Sequence, residues 1–175
     1  MTSEEKEMTV AAPSVDQLST MRYWWEDLYP GFRYQTSTRT ITEADVVAFA
    51  SLTADFNRAH VDAEFAAAGP FGKRIAHGML VASFVSGLNT RTIVNQLLEP
   101  SLLGLLDMQC KFTRPTFIGD TIHADIEVVE TRETSRPDRG IVTFRRLAIN
   151  QSGQTTMECI VKMMVQRRMQ EETAA

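Results

Sequence analysis

The sequence predicts an α+β domain in which one antiparallel sheet wraps a single helix, on three observations. The hydrophobic period changes once, from helical to two, just after Pro100. The stretch from His77 to Leu88 has no charged side chain on any face, yet is too short to cross a bilayer, so it reads as a helix buried all round. The period-two runs that follow are separated by turn residues and not by helices, so antiparallel neighbours are expected rather than crossover units.

The chain has 175 residues, long enough to bury one core without disulfides or structural metal. Residues 1–20 are polar and acidic, with neither the apolar run nor the basic amphipathic character of a targeting segment, and read as a mobile tail. One domain is expected over 21–168, with a polar tail over 169–175. Order starts at Met21-Arg22-Tyr23-Trp24-Trp25. A turn at Tyr29-Pro30-Gly31 leads into a strand over 32–41, by β-propensity. Thr42 then looks like a helix N-cap, with Asp45 completing an acidic capping box. Val46, Phe49, Ala50 and Thr53 share one face of that helix, which stops near Ala54. Residues 55–76 read as irregular, broken by Gly69-Pro70 and Gly72. The helix opened by the uncharged run His77–Leu88 continues through Arg91 as far as Leu98.

Four strands follow. Leu106, Met108, Cys110 and Phe112 alternate with polar residues in the first, and Ile122, Ala124, Ile126 and Val128 in the second. Residues 140–149 form the third. Asn150-Gln151-Ser152-Gly153 turns the chain into the fourth, whose apolar side is Met157, Cys159, Val161, Met163 and Val165. A single curved sheet coats only part of a helix, so the remaining face and the sheet edge call for a partner, a homodimer or higher homo-oligomer.

A net charge of −4 argues against nucleic acid as a partner, because its binders need a basic footprint. No apolar run reaches the length of a membrane span. Cys110 and Cys159 sit in alternating apolar runs and form no Cys-x-x-Cys pair, which fits buried thiols in a reducing compartment. A cytoplasmic protein is expected. The cluster Asp55, Asn57, His60, Asp62 and Glu64 suggests a calcium loop but fails in detail. Ala59 takes the fifth position, His60 the sixth, where glycine is needed, and Ala66 the twelfth, where glutamate is needed. No metal site is expected.

The chemistry concentrates in Asp55-x-Asn57-x-x-His60-x-Asp62, followed by Phe71-Gly72-x-x-Ile75-Ala76-His77-Gly78-Met79-Leu80. Alone, Asp55 reads as a turn residue, Asn57 as a turn former, His60 as a satisfied loop histidine and His77-Gly78 as a helix start. Together and in this order they resemble the signature of the MaoC-like dehydratases and (R)-specific enoyl-CoA hydratases. Further similarity lies in Phe112-x-x-Pro115-x-Phe117-x-Gly119-Asp120 and Trp25-Glu26-Asp27-Leu28. The resemblance covers residues 22–165.

It implies the hot-dog fold and the reversible syn addition of water to a trans-2-enoyl-CoA. Asp55 and His60 take the family's dyad positions, bracketing one water. Gly78 takes the position whose backbone N–H binds the thioester carbonyl, and Asn57 and Ser86 take supporting positions. No cofactor is implied; the CoA thioester is the substrate. Water is a weak nucleophile and needs a positioned acid/base group, and a developing enolate needs free N–H donors such as a helix N-terminus offers. A second reading is an acyl-thioester-binding protein or thioesterase of the same fold. The chain departs from the family at Ala54, where glycine is usual, and at Arg58-Ala59, where proline and an aliphatic residue are usual. Arg58 either points to solvent and pairs with a carboxylate such as Asp62, or faces the substrate and favours an extra carboxylate on it.

Overall fold

The computed structural model describes residues 14, 16 and 20–168. The expected tails, 1–20 and 169–175, lie outside these apart from Ser14, Asp16 and Thr20. In chain order the elements are β1 (Arg33–Gln35), β2 (Arg39–Thr40), α1 (Glu43–Thr53), α2 (Arg58–Val61), α3 (Ala63–Ala67), α4 (Gly78–Thr90), α5 (Ile93–Leu98), β3 (Leu102–Phe112), β4 (Thr121–Glu133), β5 (Arg139–Asn150) and β6 (Thr155–Gln166). They form one antiparallel sheet in the order β1-β4-β5-β6-β3, with β2 also paired to β4. Helix α4 packs on β4, β5 and β6. Its Leu80, Val81, Val85 and Leu88 are buried, and Ile126, Phe144 and Val161 join it in the core.

The expected strand over 32–41 is two strands. Between them Thr36 substitutes its hydroxyl for the ladder: its Oγ1 accepts from Ala124 N (2.9 Å) and donates to Ser37 O (2.8 Å). Residues 55–76 are more ordered than expected. Asn57 caps α2 by accepting from Ala59 N, and Asp62 caps α3 by accepting from Phe65 N, which supplies the helix starts that proline and glycine counts do not reveal. The expected helix over 77–98 is also two. Thr92 accepts from Asn95 N as the N-cap of α5, ending the run begun at Gly78. Nor is α4 buried all round, because Met79, Ser83, Gly87 and Thr90 form an exposed stripe on it.

Other expectations hold as drawn. Thr42 and Asp45 form the capping box of α1, with Thr42 N donating to Asp45 Oδ2 (2.8 Å). In the 150–153 turn Asn150 Oδ1 accepts from the N–H groups of Ser152 and Gln154, and Gly153 supplies the positive φ. The inward faces of β4 and β6 are those anticipated. Strand β3 differs: it lies at the sheet edge, with bulges near Gly104 and Leu106, and Leu103, Leu105, Leu106 and Phe112 are exposed.

The N-terminal segment clamps the end of the sheet. Tyr23 N donates to Leu97 O (2.8 Å). Trp25 Nε1 donates to Ile141 O (3.1 Å), and the indole lies so close to Gly140 that no Cβ fits there. The Arg22 guanidinium lies over the Trp24 ring (3.9 Å) and that of Arg167 over Trp25 (4.6 Å).

Candidate active site

The chain between α1 and α4 builds the site. Helix α1 ends at Ala54, whose φ of 60° is the one left-handed non-glycine conformation among the described residues. That turn presents Asp55. Asn57 N donates to Asp55 Oδ1 (3.3 Å) while Asn57 Oδ1 accepts from Ala59 N (3.1 Å), so Asn57 fixes the turn that carries Asp55 onto α2. His60, on α2, places Nδ1 2.8 Å from Ile75 O. A carbonyl can only accept, so Nδ1 carries a proton, and the tautomer this selects has its lone pair on Nε2.

A third polar group, His77, completes the cluster. Its ring is 2% exposed and stacks on His60 with centroids 3.8 Å apart. Its Nε2 donates to the backbone carbonyl of Asp55 (3.0 Å), and its Nδ1 is buried without a partner. Asp55, His60 and His77 each bring a carboxylate oxygen or ring nitrogen within 4.8 Å of the others. Both residue types also ligate metals. Here one nitrogen of each ring is engaged by a carbonyl, leaving His60 Nε2, His77 Nδ1 and the Asp55 carboxylate.

These groups open into a cavity of about 440 Å³ bounded also by Gly78, Phe112 and Arg114. Gly78 is the first residue of α4, and His77 makes no side-chain cap, so the first-turn N–H groups have no intrahelical acceptor. A Cβ on Gly78 would stand 2.9 Å from the Phe112 ring. Glycine therefore lets Phe112 close over the helix start and lets a ligand reach the backbone.

The structure thus gathers Asp55, His60 and Gly78 in one cavity and puts Asn57 in the turn beneath them. Ser86 lies elsewhere, two turns along α4. Its Oγ is 3.5 Å from an Arg146 Nη1 donor, and both line a second cavity. Arg58 points away from the dyad cavity: it bonds Asp62 (Nε to Oδ2, 3.0 Å), lies over the Phe65 ring (4.3 Å), and its side chain is 64% exposed. The Phe65 N–H and the Arg58 guanidinium hold the Asp62 carboxyl below the usual carboxylate range. His77 is the residue sequence reasoning passed over. The available signal was a histidine between Ala76 and Gly78, heading a helix with no charge to accompany it.

A family model described as the MaoC like domain matches residues 29–148, well over half of the chain. The chain belongs to the MaoC-like family. The (R)-specific enoyl-CoA hydratase of Aeromonas caviae is 38% identical over 122 residues, which span 69% of this MaoC-like chain and 84% of that protein. A solved Archaeoglobus structure, described as a monoamine oxidase regulatory protein, superposes with a TM-score of 0.80 at 35% identity, covering 85% of this chain and 97% of that one. A Mycobacterium tuberculosis protein described as having a double hotdog fold superposes with a TM-score of 0.72, over 88% of this chain and 47% of its own. At 21% identity that likeness speaks to the fold alone. The fold is the hot-dog arrangement, an antiparallel sheet around α4.

Proposed function

We propose that this MaoC-like chain adds water reversibly to a trans-2-enoyl-CoA, giving an (R)-3-hydroxyacyl-CoA. The observation that carries the proposal is the meeting of Asp55 and His60 beside Gly78 at the uncapped start of α4. In this reading one water sits between the Asp55 carboxylate and His60 Nε2, both of which accept its protons. The thioester carbonyl lies against the Gly78 N–H and the positive end of the α4 dipole. The water oxygen bonds to C3 as the C2–C3 π pair moves toward the thioester. The dyad takes a proton from the water and delivers one to C2 on the same face, ending in its starting state. His77 holds the Asp55 backbone and packs the His60 ring, a positioning role. The reading needs no metal or other cofactor, the CoA thioester being the substrate.

A thioesterase of this fold would place a carboxylate on the central helix, and α4 has none. Incubation with crotonyl-CoA followed by separation of products tests the proposal. 3-Hydroxybutyryl-CoA is expected. Free CoA in its place, or no hydration of crotonyl-CoA or of any longer or carboxylate-tailed trans-2-enoyl-CoA, refutes it.

The exposed leucines of edge strand β3 and the Met79–Thr90 stripe on α4 support a second copy of the chain as partner, since an uncovered apolar edge invites pairing. No helix among the described residues is long and apolar enough to cross a membrane.

A further inference from the structure

Arg146 faces inward. On β5 it falls in register with Phe144 and Ala148, on the buried side of the strand, and it is 5% exposed. Among the described residues it makes no ion pair. Its guanidinium hydrogen-bonds only Ser86 Oγ at 3.5 Å and Met163 Sδ at 3.7 Å, lies 5.9 Å from the centre of the Phe144 ring, and has its Nε buried with no partner. Arginine stays protonated in proteins, so burial cannot be relieved by losing the charge.

The acidic neighbours do not compensate. Burial, with the Cys110 contact adding to it, raises the Cys159 thiol to about 12. Burial likewise raises the Tyr34 phenol to about 12. Both are neutral at physiological pH. Glu99 lines the same cavity but is exposed and does not pair with Arg146.

The cavity beside Arg146 is about 280 Å³, with Ser86, Asn89, Asn95, Met108 and Val161 in its wall. Asn89 and Asn95 are buried and already bonded: Tyr34 Oη donates to Asn89 Oδ1 and Asn89 Nδ2 to Asn95 Oδ1, each at 2.9 Å. Leu102, Leu105, Met108, Val161 and Met163 make most of the wall apolar and suit the methylenes of a tail, but a tail that ends in a methyl group leaves the buried guanidinium without a counter-charge. One helix spans both cavities. Gly78 borders the dyad, and Ser86, about 12 Å further along the axis at 1.5 Å per residue, borders Arg146.

We infer that the Arg146 cavity receives a carboxylate at the far end of the acyl chain, so that the favoured substrate is an enoyl-CoA with a carboxylate-bearing tail. The inference rests on the hydratase reading above and adds the substrate class to it. A carboxylate there supplies the missing counter-charge and accepts from the open Nε and Nη donors, as the planar guanidinium favours.

The test compares kcat/KM for pairs of trans-2-enoyl-CoAs of equal length, one ending in a methyl and one in a carboxylate, over short, medium and long tails. Wild type is expected to prefer the carboxylate at one length by on the order of 10- to 100-fold, the worth of one or two charge-assisted bonds. In Arg146→Met that ratio should fall to about one or below, with Arg146→Lys between, because a point charge replaces the fork. A wild-type ratio near one at every length overturns the inference while leaving the hydratase reading intact, and needs no variant. Turnover of neither member of any pair overturns both. If phosphate or acetate raises the Tm of wild type but not of Arg146→Met, and the tail ratio stays near one, the cavity is a small-anion site and the inference falls.

Discussion

Ala54→Gly should stabilise the protein. Ala54 holds φ at 60°, a conformation that costs an L-residue roughly 1–2 kcal/mol. Glycine removes that cost but brings greater freedom to the unfolded chain, which offsets roughly 0.5–1 kcal/mol. The net gain lies between about 0 and 1.5 kcal/mol, with a centre of about 0.7 kcal/mol. For a chain of this size that raises Tm by about 1–4 °C. Ala54→Val should move the other way, because branching at Cβ makes a left-handed turn harder still. Thermal unfolding followed by far-ultraviolet circular dichroism, with urea titration to supply the free energy, reads both. The same variants link stability to function, because Ala54 aims Asp55: crotonyl-CoA hydration should survive in Ala54→Gly and drop in Ala54→Val while the sheet signal remains. A valine variant as stable as wild type, or a glycine variant that is no more stable, would show that the turn is not strained, and the reasoning would fail.

Asp55→Asn and His60→Ala should each lower crotonyl-CoA hydration by about 10²–10⁴-fold with the fold retained; near wild-type turnover in either refutes the dyad. Chiral chromatography of the hydrated product should show the (R) form, and a mainly (S) product would mean that substrate lies against the other face. Asp45→Asn should cost about 1 kcal/mol by weakening the capping box of α1. Burial raises the Asp45 carboxyl, but its bonds from Thr42 and Arg39 outweigh this and set it below the usual value. Its contribution is therefore complete above the ordinary carboxylate range and disappears as pH falls through the lower folded value, so urea midpoints of wild type and variant should converge in acid. Light scattering at micromolar concentration should give at least a dimer mass, and a monomer would leave the edge of β3 uncovered.

Strands β4 and β6 were legible because each has one face in the core, and alternation reports that directly. Strand β3 was legible as a strand, with Met108 and Cys110 against the core, but Leu106 and Phe112 keep the alternating pattern while lying on an edge that the rest of this chain does not cover. The break between β1 and β2 was hidden because it depends on the Thr36 hydroxyl meeting Ala124, a residue far along the chain. The dyad could be found because its members are close in sequence and share a family spacing. His77 and Arg146 were harder. A histidine before a glycine reads as a helix start. Arg145-Arg146 reads as a polar pair, although period two must send one of them inward, and the burial of Phe144 and Ala148 shows which.

The clamp at the end of the sheet has a spectroscopic consequence. Both tryptophans of the chain lie in it, each beneath a guanidinium and distant in sequence from the dyad. Intrinsic fluorescence should therefore follow the seating of the N-terminal segment on Gly140-Ile141 and hardly register a ligand entering the catalytic cavity. Circular dichroism follows the sheet itself. If the two signals separate in urea, with emission shifting first, the segment releases while the sheet still stands, and the molecule unfolds from its clamp inward.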